Sequence, residues 1–218
     1  MDFRLDIVIE YMPLLLKGTL VTIILSVVSV CIGTIIGLFI ALGKMSSKLY
    51  LRLPMNMYIN FFRGTPLFLQ IMLVHFGVVV LMLGKTNVIV ASILALSLNS
   101  AAYCAEIFRA GIQSIDKGQV EAAKSLGMTR YQVMRTIVLP QAIKRMIPAF
   151  GNEFIVLIKD SSLVAIIAAP ELMYWSGAMV GQYYRIWEPY LTAALIYFIL
   201  TYSLSKLLSY MERRMDRV

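Results

Sequence analysis

A chain of 218 residues in which 60% are hydrophobic and only 15% charged, with a mean hydropathy of +0.79, has the composition of a membrane protein and not of a soluble domain. Its formal net charge of +8 is read as basic loops held on the cytoplasmic side of a lipid bilayer, which excludes nucleic acid as the partner that charge would otherwise suggest. The chain is too short for the roughly ten spans of a complete transporter, so a translocation path calls for a second copy or a homologue beside it.

Asp2, Asp6 and Glu10 stand where a cleavable leader would carry basic residues, so the first apolar run is expected to remain in the protein. That run, 19–42, is free of charge and ends at Lys44 and Lys48; at about 1.5 Å per residue it crosses a core of about 30 Å. Gly33, Gly37 and Ala41 recur along it at four-residue spacing, a stripe expected to face protein and not lipid. A second span is expected over 66–83, opened by Pro66, whose missing N–H costs nothing at a helix start. A third covers 87–107, a fourth 147–169, stopped by Pro170, and a fifth 190–206, after Pro189. The whole, 1–218, reads as a single all-α domain, a polytopic membrane protein of about five transmembrane helices.

Basic residues resist translocation and so set orientation. Lys44, Lys48, Arg52 and Arg63 follow the first span; Arg109, Lys117, Lys124, Arg130, Arg135, Lys144 and Arg145 follow the third; Lys206, Arg213, Arg214 and Arg217 follow the fifth. The opposite side holds only Arg4, Lys17, Lys85 and Arg185. The N-terminus is therefore expected outside, the C-terminus inside, and the segment 113–145 in the cytoplasm. Trp187, Tyr183, Tyr184 and Tyr190 then form an aromatic belt at the outer end of the fifth span.

Several catalytic or ligand-binding patterns are absent on inspection. Gly84-Lys85-Thr86 copies the end of a phosphate-binding loop, but the earlier glycine is replaced by Val79 and Lys85 falls on the outer side. His75 sits within a span without Cys, His or carboxylate at ligand spacing, so no metal is expected. Cys31 and Cys104 lie inside spans and read as buried apolar thiols. The charges of the fourth span are another matter. Glu153, Lys159 and Asp160 stand within an expected membrane helix, where each charge costs about 2.5 to 3.5 kcal/mol and must face a wet cavity or a partner. Glu153 and Asp160, two turns apart, share a face; Lys159 is rotated by about 100° from Asp160. Asn99, with Tyr103 and Glu106 on the same face of the third span, is a neutral partner for them. These charges serve either substrate contact or an ion-pair network between helices, and the two readings are compatible.

Between the third and fourth spans, Glu121-Ala122-Ala123-Lys124-Ser125-Leu126-Gly127, followed by Ile137, Leu139 and Pro140, resembles the signature EAA-x3-G-x9-I-x-L-P of the membrane subunits of ABC importers, with every fixed position filled. Phe62-Arg63-Gly64-Thr65-Pro66-Leu67, Leu98-Asn99-Ser100-Ala101-Ala102-Tyr103, and Gly151-Asn152-Glu153-Phe154 through Lys159-Asp160-Ser161-Ser162-Leu163 look like the branch that imports polar amino acids such as histidine, arginine, glutamine and cystine. That resemblance implies a type I importer. It brings two permease subunits, two cytoplasmic ABC ATPase subunits that bind and hydrolyse ATP with Mg, and an extracytoplasmic amino acid-binding protein. No cofactor belongs to this chain, and it is not itself an enzyme.

The resemblance assigns Glu121, Ala122, Ala123, Gly127, Leu139 and Pro140 to coupling with the ATPase. Gly127 would make the turn after the coupling helix, and Leu139-Pro140 would end the helix that follows. Glu153, Asp160, Lys159 and Asn99 are the candidate substrate residues, because two acids and a lysine match the charged ends of an amino acid, with a lean toward arginine, lysine or histidine. Glutamine or cystine is the alternative substrate, and an ion-coupled carrier or channel the alternative class.

Overall fold

The computed structural model describes residues 3–215, and all regular structure within them is helical. In chain order the elements are α1 (Leu5–Lys44), α2 (Leu49–Gly64), α3 (Leu67–Leu83), α4 (Val88–Gln113) and α5 (Lys117–Ser125). Next comes α6, formed by Arg130–Val133, a π-helical turn Met134–Val138 and the long stretch Leu139–Asp160. A 3-10 segment, Ser161–Ile167, leads to α7 (Leu172–Tyr183) and α8 (Trp187–Met215).

Among the described residues α1, α4 and α8 are long and apolar enough to cross a bilayer unbroken, and α2 with α3, bent by 110° between them, make a fourth candidate. The expected first span is longer than its charge-free run, since α1 starts at Leu5 and passes through Pro13. Its first turns pack Ile7, Val8, Tyr11 and Leu15 against Leu172 and Met179 of α7. The expected fourth span is interrupted: α6 ends at Asp160 and the chain tightens into the 3-10 segment. Residues 49–64, read from the sequence as a basic loop, form α2.

At the centre lies α4, with 61% of its most apolar window buried against 33% for α1 and 11% for α8. Small residues make this possible. A methyl group built on Gly37 would stand 2.7 Å from the Cβ of Cys104 and 2.8 Å from the carbonyl oxygen of Ala101, so α1 and α4 touch backbone to backbone, as the stripe of Gly33, Gly37 and Ala41 implies. Cys104 is buried in this seam, as expected; Cys31, on the other face of α1, is exposed, because the stripe and not Cys31 turns inward.

Two interruptions of the helices are repaired by polar side chains. At Gly64-Thr65-Pro66 the proline ring keeps Thr65 extended, at φ −118° and ψ 149°, and the last carbonyls of α2 lose their helical donors. Thr65 Oγ1 donates to Phe61 O at 2.8 Å, Gln70 Nε2 to Phe62 O at 2.9 Å and Thr65 O at 3.1 Å, and Asn99 Nδ2 to Phe62 O at 3.3 Å and Gln70 Oε1 at 2.9 Å. At the second interruption the fully buried Glu171 caps α7 by accepting from Tyr174 N at 2.7 Å, and accepts also from Tyr197 Oη at 2.8 Å and Thr22 Oγ1 at 3.3 Å. One carboxyl thereby ties α7 to α8 and α1.

The α1–α4 seam yields a direct expectation. Gly37→Val should destabilise the protein by at least about 1–3 kcal/mol, the usual cost of overpacking, whereas Gly77→Ala, which adds its methyl to open space, should leave stability unchanged. Thermal unfolding of the two purified variants in detergent, monitored by intrinsic fluorescence, measures the difference.

Candidate functional site

A groove of about 610 Å3 runs between α4 and α6, from Ser114 and Arg145 at one end to Glu153 and Val156 at the other, with Arg63 of α2 along its side. Its α6 wall is a stripe: Arg145, Ala149, Asn152, Glu153 and Val156 fall within an arc of about 100° at about 100° per residue. Asp160, seven residues after Glu153, continues this stripe beyond the groove and is half-buried. Ser100 Oγ of α4 donates to Glu153 Oε1 at 2.8 Å, fixing the carboxylate against the groove wall.

The structure thus brings Glu153 and Asp160 onto one face, but it separates the other two candidates from them. Lys159 is exposed and lines a different depression, of about 360 Å3, with Tyr190 and Tyr197 of α8. Asn99 is 6% exposed and its amide donates to Gln70 and Phe62. The expectation that Asn99 is available across a cavity is corrected: its amide donates to the Phe62 carbonyl at the end of α2 and to the Gln70 side chain of α3. Ser100, beside it in sequence, makes the contact to Glu153 instead. Nothing in the spacing separated the two, since only the rotation of α4 against α6 decides which one faces the acid.

Further along the groove Glu106 gathers cations from several helices. Lys44 Nζ of α1 donates to its Oε1 at 2.5 Å, and Arg109 Nη2 and Nε to its Oε2 at 2.7 Å and 3.0 Å. Arg63 of α2 lies 3.9 Å from the same oxygen, its guanidinium 5.4 Å from the centre of the Tyr103 ring. Sequence reading placed Glu106 on the right face but took Lys44 and Arg63 for loop charges; both lie just beyond the ends of apolar runs, and only the packing of α1 and α2 against α4 brings them to Glu106. His75 is buried against Phe76, and among the described residues no group of His, Cys, Asp and Glu is arranged to hold a metal ion.

Beyond the groove the chain folds into an exposed knuckle. Asp116 accepts from Gly118 N and starts α5; Glu121 and Ala122 are exposed while Ala123 turns inward. Gly127 ends the knuckle at φ 82°, which lets Met128 N reach Ala123 O at 3.2 Å and Gly127 N reach Lys124 O at 2.9 Å, the closing pattern of a Schellman turn. Thr129 and Gln132 form a capping box that starts α6. Leu139 and Pro140 do not end the following helix, contrary to expectation. The π turn carries the Leu139 N–H to Met134 O, and the widened turn accommodates the proline ring so that the helix runs on to Asp160.

The described residues thus form a helical bundle with a charged groove and an exposed helical knuckle. The family model for the binding-protein-dependent transport system inner membrane component matches residues 33–217. The chain belongs to this family, the permease subunits of ABC transporters. It is 37% identical over 214 residues to a putative glutamine transport system permease protein of Rickettsia typhi, covering 97% of this chain and 98% of the relative. It is 40% identical over 218 residues to the arginine transport system permease protein of Bacillus subtilis, covering 99% and 98%. The crystal structure of an amino acid ABC transporter with histidines superposes with a TM-score of 0.92 at 45% identity, covering 98% of this chain and all (100%) of that one.

The backbone at Gly127 makes a local prediction. A β-branched residue is strained there, at roughly 1–3 kcal/mol, so Gly127→Val should raise amide hydrogen exchange across 123–129 while exchange in α4 stays as in the wild type.

Proposed function

We propose that the chain is the membrane-spanning subunit of an ATP-driven importer of a polar L-amino acid, with cationic side chains such as those of arginine, lysine and histidine favoured, in the cytoplasmic membrane of a bacterium or archaeon. The observation that carries this reading is the groove itself: Glu153, fixed by Ser100, lines a passage that extends to Arg145 near the middle of α6. The relatives named for glutamine and arginine support the substrate class. Glu153 and Asp160 share one face of α6; one carboxylate is enough for an α-ammonium, and the second suits a cationic side chain. Lys159 would meet solute or partner from the neighbouring depression, and Asn99 serves by holding the broken α2–α3 backbone in place.

In this reading residues 1–218 form one domain that pairs with a second permease subunit, identical or homologous. Two ATPase subunits, which carry ATP and Mg, dock on Glu121, Ala122, Ala123 and the Gly127 turn; an extracytoplasmic binding protein delivers the amino acid. Closure of the ATPase pair draws the α5 knuckles together. The motion passes to α6 because Ile115 and Ala123 are packed into one apolar cluster with Val133, Val138, Ala142 and Met146, and α6 carries Glu153 and Asp160. The groove then alternates between the two sides of the membrane as a rigid-body movement. Leu139 and Pro140 contribute the continuous helix that transmits it.

Transport into proteoliposomes tests the site. Glu153→Gln should lower uptake of the amino acid at least about tenfold, the weight of one charge-assisted contact, and Asp160→Asn should lower it for cationic more than for neutral amino acids; unchanged uptake of every amino acid in both variants, with the complex assembled, makes these carboxylates structural. Orientation is tested by thiol labelling after replacement of the exposed Cys31: a cysteine at Ser114 should react only from the cytoplasm and one at Gly177 only from outside. The reverse pattern would remove the proposed ATPase contact.

A further inference from the structure

The cations around Glu106 are unequally engaged. Lys44 and Arg109 make short hydrogen bonds to its two oxygens, at 2.5 Å and 2.7 Å, which leaves the carboxylate satisfied. Arg63, at 3.9 Å, is beyond hydrogen-bond range, and its side chain is 45% exposed against 21% for Lys44 and 32% for Arg109. Three cations thus surround one acid, and the third, the most exposed of them, lines the groove. Its position is not that of a wandering surface arginine. The Tyr103 ring lies under the guanidinium, and the α2 backbone on its N-terminal side is fastened to α4 by Tyr58 Oη donating to Leu98 O at 2.7 Å and by Asn99 Nδ2 donating to Phe62 O at 3.3 Å.

An excess of positive charge along a partly enclosed groove favours an anion. A guanidinium whose planar fork is open matches a carboxylate, which it can bind through two parallel hydrogen bonds. Arg63 and Glu153 line the same groove, and Glu153 has the sign for an ammonium. Arg145, the groove's other cation, is already bound through Nη1 to Ser114 O at 2.5 Å.

We infer that Arg63, held over Tyr103 and the most loosely engaged of the three cations around Glu106, is the receptor for the α-carboxylate of the solute, so that Arg63 and Glu153 read the two charged ends of a zwitterion. This rests on the amino acid reading of the groove and names the partner that reading lacked, since Lys159 faces a separate depression. Glu106 is a positioning residue in this arrangement, and the Tyr103 ring, 5.4 Å from the guanidinium carbon, lines the same groove.

The test compares an amino acid with its carboxamide, which keeps the ammonium and side chain but loses the carboxylate charge. The twenty proteinogenic L-amino acids are first screened for uptake by the wild-type complex in proteoliposomes with its binding protein. The transported one and its carboxamide are then titrated, by equilibrium dialysis, against the purified permease–ATPase complex without binding protein. Wild type should bind the acid at least about tenfold more tightly than the carboxamide, and Arg63→Gln should erase that preference by weakening the acid alone. Arg63→Met, which keeps the stem against Tyr103, carries the same comparison if Arg63→Gln does not assemble. Equal weakening of acid and carboxamide assigns Arg63 a structural role and overturns the inference, as does an unchanged preference. If the wild-type complex takes up none of the twenty, the amino acid reading fails and the inference falls with it; uptake together with an unchanged preference sinks the inference alone.

Discussion

Lipid offers no hydrogen bonds to a peptide group, and the placement of the buried polar side chains at the two helix breaks follows from that constraint. Where a helix is continuous its backbone satisfies itself. Where it is interrupted, as at Thr65-Pro66 and again between Ile167 and Leu172, the freed carbonyl and amide groups need partners supplied by side chains. Gln70 and Asn99 fill that need at the first break, Glu171 and Thr22 at the second. Each unmatched group would cost about 1–3 kcal/mol even by the standards of soluble proteins. The repairs also make long-range connections: Asn99 joins α4 to the end of α2, and Glu171 joins α7 to α1 and α8.

This explains why buried polarity was the least legible part of the sequence. Asn99 and Glu153 were both recognisable as polar residues at membrane depth, yet their uses differ. Asn99 is consumed by the break between α2 and α3, 37 residues away at Phe62 and 29 at Gln70, while Glu153 faces the groove. No period along a single helix distinguishes a repair from a site; the distinction depends on which neighbouring helix is broken beside it. Glu171 escaped notice for a related reason. It follows Pro170 at an apparent helix end, where a carboxylate reads as a loop residue, and only the tertiary fold shows it fully buried with several donors.

Other features were legible because their cause is local. Pro66 marked the start of α3, Gly127 the left-handed turn, and Gly33 with Gly37 the face of α1 that meets α4. In each case the residue's own covalent structure restricts or permits what the backbone does, without reference to a distant partner. The signature around Glu121 and Gly127 pointed to the same family as the comparison over residues 33–217. Pro140 shows the limit of local rules: a proline normally ends or kinks a helix, but a π turn five residues long ahead of it, Met134–Val138, lets α6 continue.

The closeness of α1 and α4 has a mechanical consequence. With no room for one methyl group at Gly37, the pair has no alternative side-chain packing to switch into, and sliding one helix along the other would drive Cβ atoms into backbone oxygens. The two therefore behave as a single strut. Shape changes in the bundle must be taken up elsewhere, at the joints where the helical ladder is already opened: the bend before α3 and the π turn in α6. A protein built this way concentrates its compliance at a few weak joints around a stiff spine, so substitutions in the spine should alter assembly and those at the joints should alter the rate of turnover.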